Sequence, residues 1–138
     1  MRLVPFAIWS SRLQSDDELL EAVRLFCGFT HTHELVIECC YLYCYAVKQL
    51  IVHNLSKIEA YEKMKIESER RAKVSSFSTV KFWIENNIDM EDEAEMPFPH
   101  YRPTSFIKIP IMWAFYFLKN DYQFDEAIRH IIKKGGET

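Results

Sequence analysis

The chain has 138 residues and a formal net charge of −3, and it is 49% hydrophobic and 14% aromatic. That length suits one domain able to bury roughly 68–70% of its unfolded surface. The weakly acidic balance lacks the basic field that attracts nucleic acid. No apolar run reaches the ~18 residues needed to span a bilayer, and a count of only three Gly argues against an all-β or loop-rich fold. The expected class is all-α.

In chain order, residues 1–13 read as a short apolar helix or helix end. They are too short for a signal peptide, and no small-residue cleavage site follows. Ser15 and Glu18 form a capping box, in which the Ser oxygen takes the third helical N–H and the Glu reaches back. Leu19, Leu20, Val23 and Phe26 then make one helical face, and Gly28 ends the helix. Thr30 or Thr32 is the expected N-cap of the next segment. From Glu34 to about His53, only Glu34, Glu38 and Lys48 interrupt a wide apolar stripe. A helix so apolar belongs at the centre of the domain.

Ser56 and Glu59 form a second capping box. The segment they open is charged on most faces, with a narrow apolar edge at Ile58, Tyr61 and Met64, beside Lys65 or Glu69. It reads as an exposed helix with i,i+4 pairs Glu59–Lys63 and Glu67–Arg71, each contributing about 0.3 kcal/mol. Residues 75–78 are a break. Phe77, Val80, Phe82, Trp83 and Ile84 suggest a short helix that stops before Asn86 and Asn87. An acidic run at 89–95 and prolines at 97, 99 and 103 read as an extended surface loop.

Residues 105–138 carry two helical patterns back to back. The first places Ile107, Ile111, Phe115 and Leu118 on one face, with Pro110 in its opening turn. The second is a stripe of Phe124, Ala127, Ile128, Ile131 and Ile132. Asp125 and Glu126 lie at its start, and Lys133 and Lys134 at its end, an order that suits the helix dipole. The expectation is a buried helix stopped by Gly135 or Gly136, delivering the carboxylate of Glu137 and the hydroxyl of Thr138.

Four cysteines, Cys27, Cys39, Cys40 and Cys44, contain no C-x-x-C pair. Cys39, Cys40 and Cys44 share one helical pattern and are poor disulfide partners. They read as packed free thiols in a reducing, intracellular, cytoplasmic setting. The Thr30–His33 cluster at a helix start suits an anion, with histidines donating to a phosphate or ribose oxygen. The competing account is a Thr cap with partly exposed histidines, which the spacing alone favours. His31 and His33 are two apart and cannot share a helix face as zinc ligands. The acidic run lacks the Gly and alternation of a calcium loop, so solvation accounts for it. Trp113, Tyr116 and Phe117 are expected as core or interface aromatics. The Gly135–Gly136–Glu137–Thr138 turn suits a hard, oxygen-preferring cation such as magnesium.

Taken together, three segments resemble the ADP-ribosylglycohydrolase family. Met1-Arg2-Leu3-Val4-Pro5 is similar to the family's M-R-[VIL]-x-P segment, and Phe29-Thr30-His31-Thr32-His33 to its [LI]-T-H-x-H element. Residues 106–138, ending on Gly135-Gly136-Glu137-Thr138, resemble its penultimate helix pair, which closes on G-G-D-T-D-T/S. The resemblance implies a partial ADP-ribosylglycohydrolase-like fold over 1–138, an orthogonal helical bundle covering the family's central and C-terminal part, with both ends cut. It implies magnesium-dependent hydrolysis of the glycosidic bond of ADP-ribose on modified proteins, of the arginine type. ADP-ribose or an ADP-ribosylated protein is the implied partner. Glu137, in the place of the usual Asp, carries over as a metal ligand and His31 as the substrate-pocket histidine. Thr138 matches the motif but not a ligand position. The family's first metal-binding segment, its Gly-rich phosphate loop and its second C-terminal acid have no counterpart in these residues. The expectation is therefore a chain inactive alone, with uncovered apolar faces at residues 1–9 and 107–118 that favour self-association or a protein partner. The alternative is a non-catalytic helical binding or structural protein derived from the family.

Overall fold

A computed structural model describes residues 3–73, 77–88, 96 and 106–134. Seven α-helices and one π-helical turn occur among them: α1 (Leu3–Ser10), α2 (Asp16–Gly28), α3 (Glu34–Ile51), α4 (Lys57–Ala72), α5 (Ser78–Trp83), the π turn (Ile84–Ile88), α6 (Lys108–Lys119) and α7 (Phe124–Lys134). No strand is present among the described residues, so the fold is all-α.

The helix α3 is the axis of the assembly and packs against α1, α2, α4, α5 and α6. Its apolar stripe is wide enough to serve several neighbours at once. Cys39, Tyr41, Leu42 and Cys44 are each fully buried, and they meet Leu3 and Ala7 of α1, Leu19 and Val23 of α2, Tyr61 and Met64 of α4, and Ile111 and Phe115 of α6 in one core. Burying a side chain such as Leu42 contributes about 2 kcal/mol.

Both capping boxes form. Ser15 accepts from the Glu18 N–H at 3.1 Å while Glu18 accepts from the Ser15 N–H at 3.2 Å. Ser56 and Glu59 repeat the exchange at 3.3 and 2.9 Å. The cap of α3 differs from expectation. His33, not Thr30 or Thr32, is the N-cap, and its Nδ1 accepts from the Leu35 N–H at 3.2 Å. An imidazole nitrogen can stand where an Asn or Asp oxygen usually does. Gly28 is the last residue of α2, yet no left-handed turn follows. The cap residue Phe29 keeps a right-handed helical conformation, with φ −68° and ψ −22°, and the exit is held instead by Cys27, whose carbonyl accepts from the N–H groups of Thr30 (2.9 Å) and His31 (2.7 Å).

Four further expectations are corrected. The inward face of α4 is Ala60, Tyr61, Met64, Glu67, Ser68 and Arg71, while Ile58 is 50% exposed. The Glu67–Arg71 pair therefore lies inside the protein, and Glu59 serves its cap. Beyond α5 the chain does not stop before Asn86 and Asn87 but runs through them as the π turn, burying Ile84 and Ile88. Finally, α7 has no buried residue, and Phe124 is 82% exposed. Its apolar stripe exists, but it is Ala127, His130, Ile131 and Lys134 that are half-buried, with Lys134 Nζ over the Trp113 ring and His130 meeting the rings of Trp113, Phe117 and Tyr122 at centroid distances of 5.6, 5.7 and 5.8 Å. By contrast α6, expected to be uncovered, buries Ile109, Ile111, Met112, Trp113, Phe115 and Tyr116. The uncovered face at α1 does occur, with Val4, Ile8 and Trp9 exposed.

Candidate functional site

The α2–α3 corner holds the sequence-predicted histidine. The two bonds to the Cys27 carbonyl fix the backbone on either side of Thr30, and His31 Nδ1 then lies 2.9 Å from Thr30 Oγ1. The ring is exposed. When the Thr30 hydroxyl donates to Nδ1, the imidazole proton sits on Nε2, which faces away from Thr30 and can donate outward. Close by in the chain, Arg24 Nη1 donates to Glu34 Oε1 at 2.7 Å. That bond raises the Arg24 pKa above its ordinary value, and the guanidinium ties the last turns of α2 to the first turn of α3. The corner thus presents His31 on a frame braced by both flanking helices.

Beneath it lies a thiol layer. Cys40 on α3 is neighbour to Cys27 on α2, and that interaction together with burial raises the Cys40 thiol far above its ordinary range. Burial pushes Cys44 up to about 12, partly opposed by a bond to Ser10. All four cysteines are buried free thiols. They pack, as their spacing suggested.

Deeper still, Glu67 collects cations and a phenol. Arg70 Nε donates to Oε2 at 2.7 Å, Arg71 Nε to Oε1 at 2.8 Å, and the Tyr41 hydroxyl to Oε1 at 2.6 Å. Arg71 Nη2 reaches on to Asp17 Oδ1 at 2.9 Å. Burial opposes ionisation of Glu67, but the bonds from Arg70, Tyr41 and Arg71 outweigh it and the carboxyl ends below its ordinary value. Such a carboxylate, committed to two arginines and a phenol, is a joint between α2, α3 and α4.

At the far end of α3 a cleft of about 820 Å³ opens between the α1–α2 and α3–α4 links. Its lining includes Arg12, Tyr45, Lys48, His53 and Lys63. Sequence reasoning missed this cluster. The usable signal was Lys48, one charge inside an otherwise apolar helix pattern.

Among the described residues, no group of three or more His, Cys, Asp or Glu could hold a metal ion. Glu137 and Thr138 lie outside the described residues, as do the acidic run at 89–95 and Gly135–Gly136. No helix among the described residues is long and apolar enough to cross a membrane.

No curated protein and no solved structure matches the chain. The sequence profile described as ADP-ribosylglycohydrolase, in contrast, matches residues 1–138. With its all-helical core and the exposed histidine at the head of the central helix, the chain belongs to the ADP-ribosylglycohydrolase family.

Proposed function

We propose that the chain serves the family's reaction, hydrolysis of the glycosidic bond of ADP-ribose on modified arginine with magnesium, and that its own share is recognition of the ADP-ribose. The observation that carries this is the exposed His31, held by Thr30 and by the Cys27 carbonyl at the start of α3, in a chain whose full length matches the family. With Thr30 donating to Nδ1, Nε2–H is a donor for a diphosphate or ribose oxygen, and the N-terminal end of α3 adds a favourable dipole for an anion. Glu137 is the metal-ligand candidate. No metal-binding cluster occurs among the described residues, and the chain assayed alone is expected to release no ADP-ribose.

The test is titration of ADP-ribose into the chain by calorimetry, together with a magnesium-dependent assay on ADP-ribosylated arginine. Loss of a bond to a charged oxygen costs about 1.5–3 kcal/mol, so His31→Ala should weaken binding roughly tenfold or more. Equal affinity for both variants, or clear turnover by the chain alone, would refute the corresponding half of the proposal.

A further observation favours a role in assembly. Phe124, Ile128 and Ile132 on α7 and Val4, Ile8 and Trp9 on α1 are exposed. Faces of this kind mark contacts with protein, and self-association or docking to a partner accompanies the proposed recognition. Sedimentation over a range of concentrations decides it, and a strict monomer would count against self-association.

A further inference from the structure

We propose that the cleft at the C-terminal end of α3 binds a small organic anion carrying a phosphate group on an apolar or aromatic body. The α3 helix has 18 residues and is therefore ~27 Å long, so this cleft and His31 stand at opposite ends of it.

The charge of the lining is the first argument. Arg12 comes from the α1–α2 link, Lys48 from α3 and Lys63 from α4, and against these three cations the lining holds one carboxylate, Asp16. Lys48 Nζ lies 3.3 Å from Asp16 Oδ1, with its side chain only 9% exposed. An ammonium has three N–H donors and this one spends a single, long bond on a carboxylate, so it retains donors toward the cleft. Among the described residues, Arg12 and Lys63 have no ion-pair partner. Three cations from three elements, two of them unspent, are the arrangement that recognises a multiply charged oxyanion.

The second argument is that the cleft is built rather than a chance gap. Its first rim is a tight turn, in which the Arg12 N–H donates to the Trp9 carbonyl at 3.4 Å, the Leu13 N–H to Ser10 at 3.0 Å and the Ser11 hydroxyl to Ile8 at 2.7 Å. Its second rim turns on Asn54, a non-glycine residue at φ 51°, and closes with the Leu55 N–H on the Gln49 carbonyl at 3.3 Å. Asn is among the few side chains that tolerate that conformation. A preformed rim loses little entropy on binding. The third argument concerns the rest of the ligand. Tyr45, Leu13, Val52 and Leu55 supply apolar wall between the cations, and a volume of about 820 Å³ falls in the range of small-molecule sites.

The experiment titrates phenyl phosphate, inorganic phosphate and phenol into the 138-residue chain, followed by calorimetry and by amide chemical shifts. Phenyl phosphate should bind saturably with shifts at Gln14 and Gln49, inorganic phosphate more weakly at the same place, and phenol not at all. Arg12→Gln and Lys63→Gln are exposed changes that should leave thermal melting unaltered, and each should weaken phenyl phosphate by roughly tenfold. His31→Ala should change nothing here, which separates this site from the proposed ADP-ribose site. Absence of saturable binding, equal binding of phenol, or affinity unaffected by both cation variants overturns the proposal. So does loss of binding in His31→Ala.

Discussion

The hydroxyl of Tyr41 on α3 donates to Glu67 Oε1 on α4 across 2.6 Å, and the same oxygen also accepts from Arg71 Nε at 2.8 Å. Tyr41 is fully buried and Glu67 is 4% exposed, so the two central helices are joined by a charged contact inside the core. Removing one partner of such a joint strands the others. Glu67→Ala takes the buried carboxylate from the Arg71 guanidinium, which keeps its bond to the exposed Asp17, and should cost about 3 kcal/mol. Tyr41→Phe removes one neutral donor from an acceptor that keeps its arginines, and should cost about 1 kcal/mol. Urea unfolding of both variants checks the order; a Glu67→Ala variant as stable as the parent would show that the joint contributes nothing.

The same carboxylate gives the protein an acid limb. Burial works against the charged form of Glu67, but the bonds from Arg70, Tyr41 and Arg71 prevail and its folded value lies below the ordinary one. A depressed carboxyl contributes stability that is fully present above its unfolded pKa of about 4.3 and is lost as pH falls through the folded value. Stability should therefore hold from neutral pH down to about 4.5 and decline below it. In Glu67→Gln the decline should be shallower, because the glutamine binds no proton in either state. Parallel acid limbs in the two proteins would show that other groups dominate.

Burial of the thiols predicts their reactivity. Burial raises Cys39 well beyond the usual thiol range and holds Cys44 at about 12, and only the thiolate attacks an alkylating reagent. Iodoacetamide at pH 8 should leave Cys39 and Cys44 unmodified in the folded chain and label all four cysteines in denaturant, as read by mass spectrometry. Rapid modification of Cys39 in the folded state would mean that α3 is not the buried axis described above.

Much of this architecture is written locally in the chain. Ser15 with Glu18 and Ser56 with Glu59 state two helix starts in four residues each, and the stripe through Cys39, Leu42 and Ala46 states that α3 is central. What escaped was decided by residues far apart in sequence. Glu67 and Arg71 read as a surface pair because both are charged and four apart, and nothing near them reveals that Tyr41 and Asp17 arrive from other helices. His33 caps α3 because its Nδ1 reaches the Leu35 N–H, a role that residue-type preference assigns to the neighbouring threonines. The cleft of Arg12, Lys48 and Lys63 joins three elements, and only Lys48, a charge in an apolar helix pattern, hinted at it. The α2–α3 corner was legible because Thr30, His31, Thr32 and His33 are contiguous, whereas Glu137 stands in a stretch that lies outside the described residues.

The least legible element was α7, whose stripe is as regular as that of any core helix yet buries no residue. The His130 ring is central to its attachment: it sits among Trp113, Phe117 and Tyr122 of the α6 end and the link that follows, beside Ile131 and Lys134. Two substitutions on this helix should therefore behave oppositely. Ile128 is 44% exposed, so Ile128→Asp should alter folding stability by no more than about 0.5 kcal/mol while reducing any self-association through the apolar face. His130→Ala removes the ring contacts, so amide exchange in α7 should accelerate while the α3 amides stay protected, because local opening of a weakly packed helix does not require global unfolding. Hydrogen exchange and sedimentation on the two variants separate attachment from association. If Ile128→Asp instead exposed α7 to exchange as strongly as His130→Ala, the apolar stripe would be holding the helix to its own chain, and the face would not be free for a second molecule.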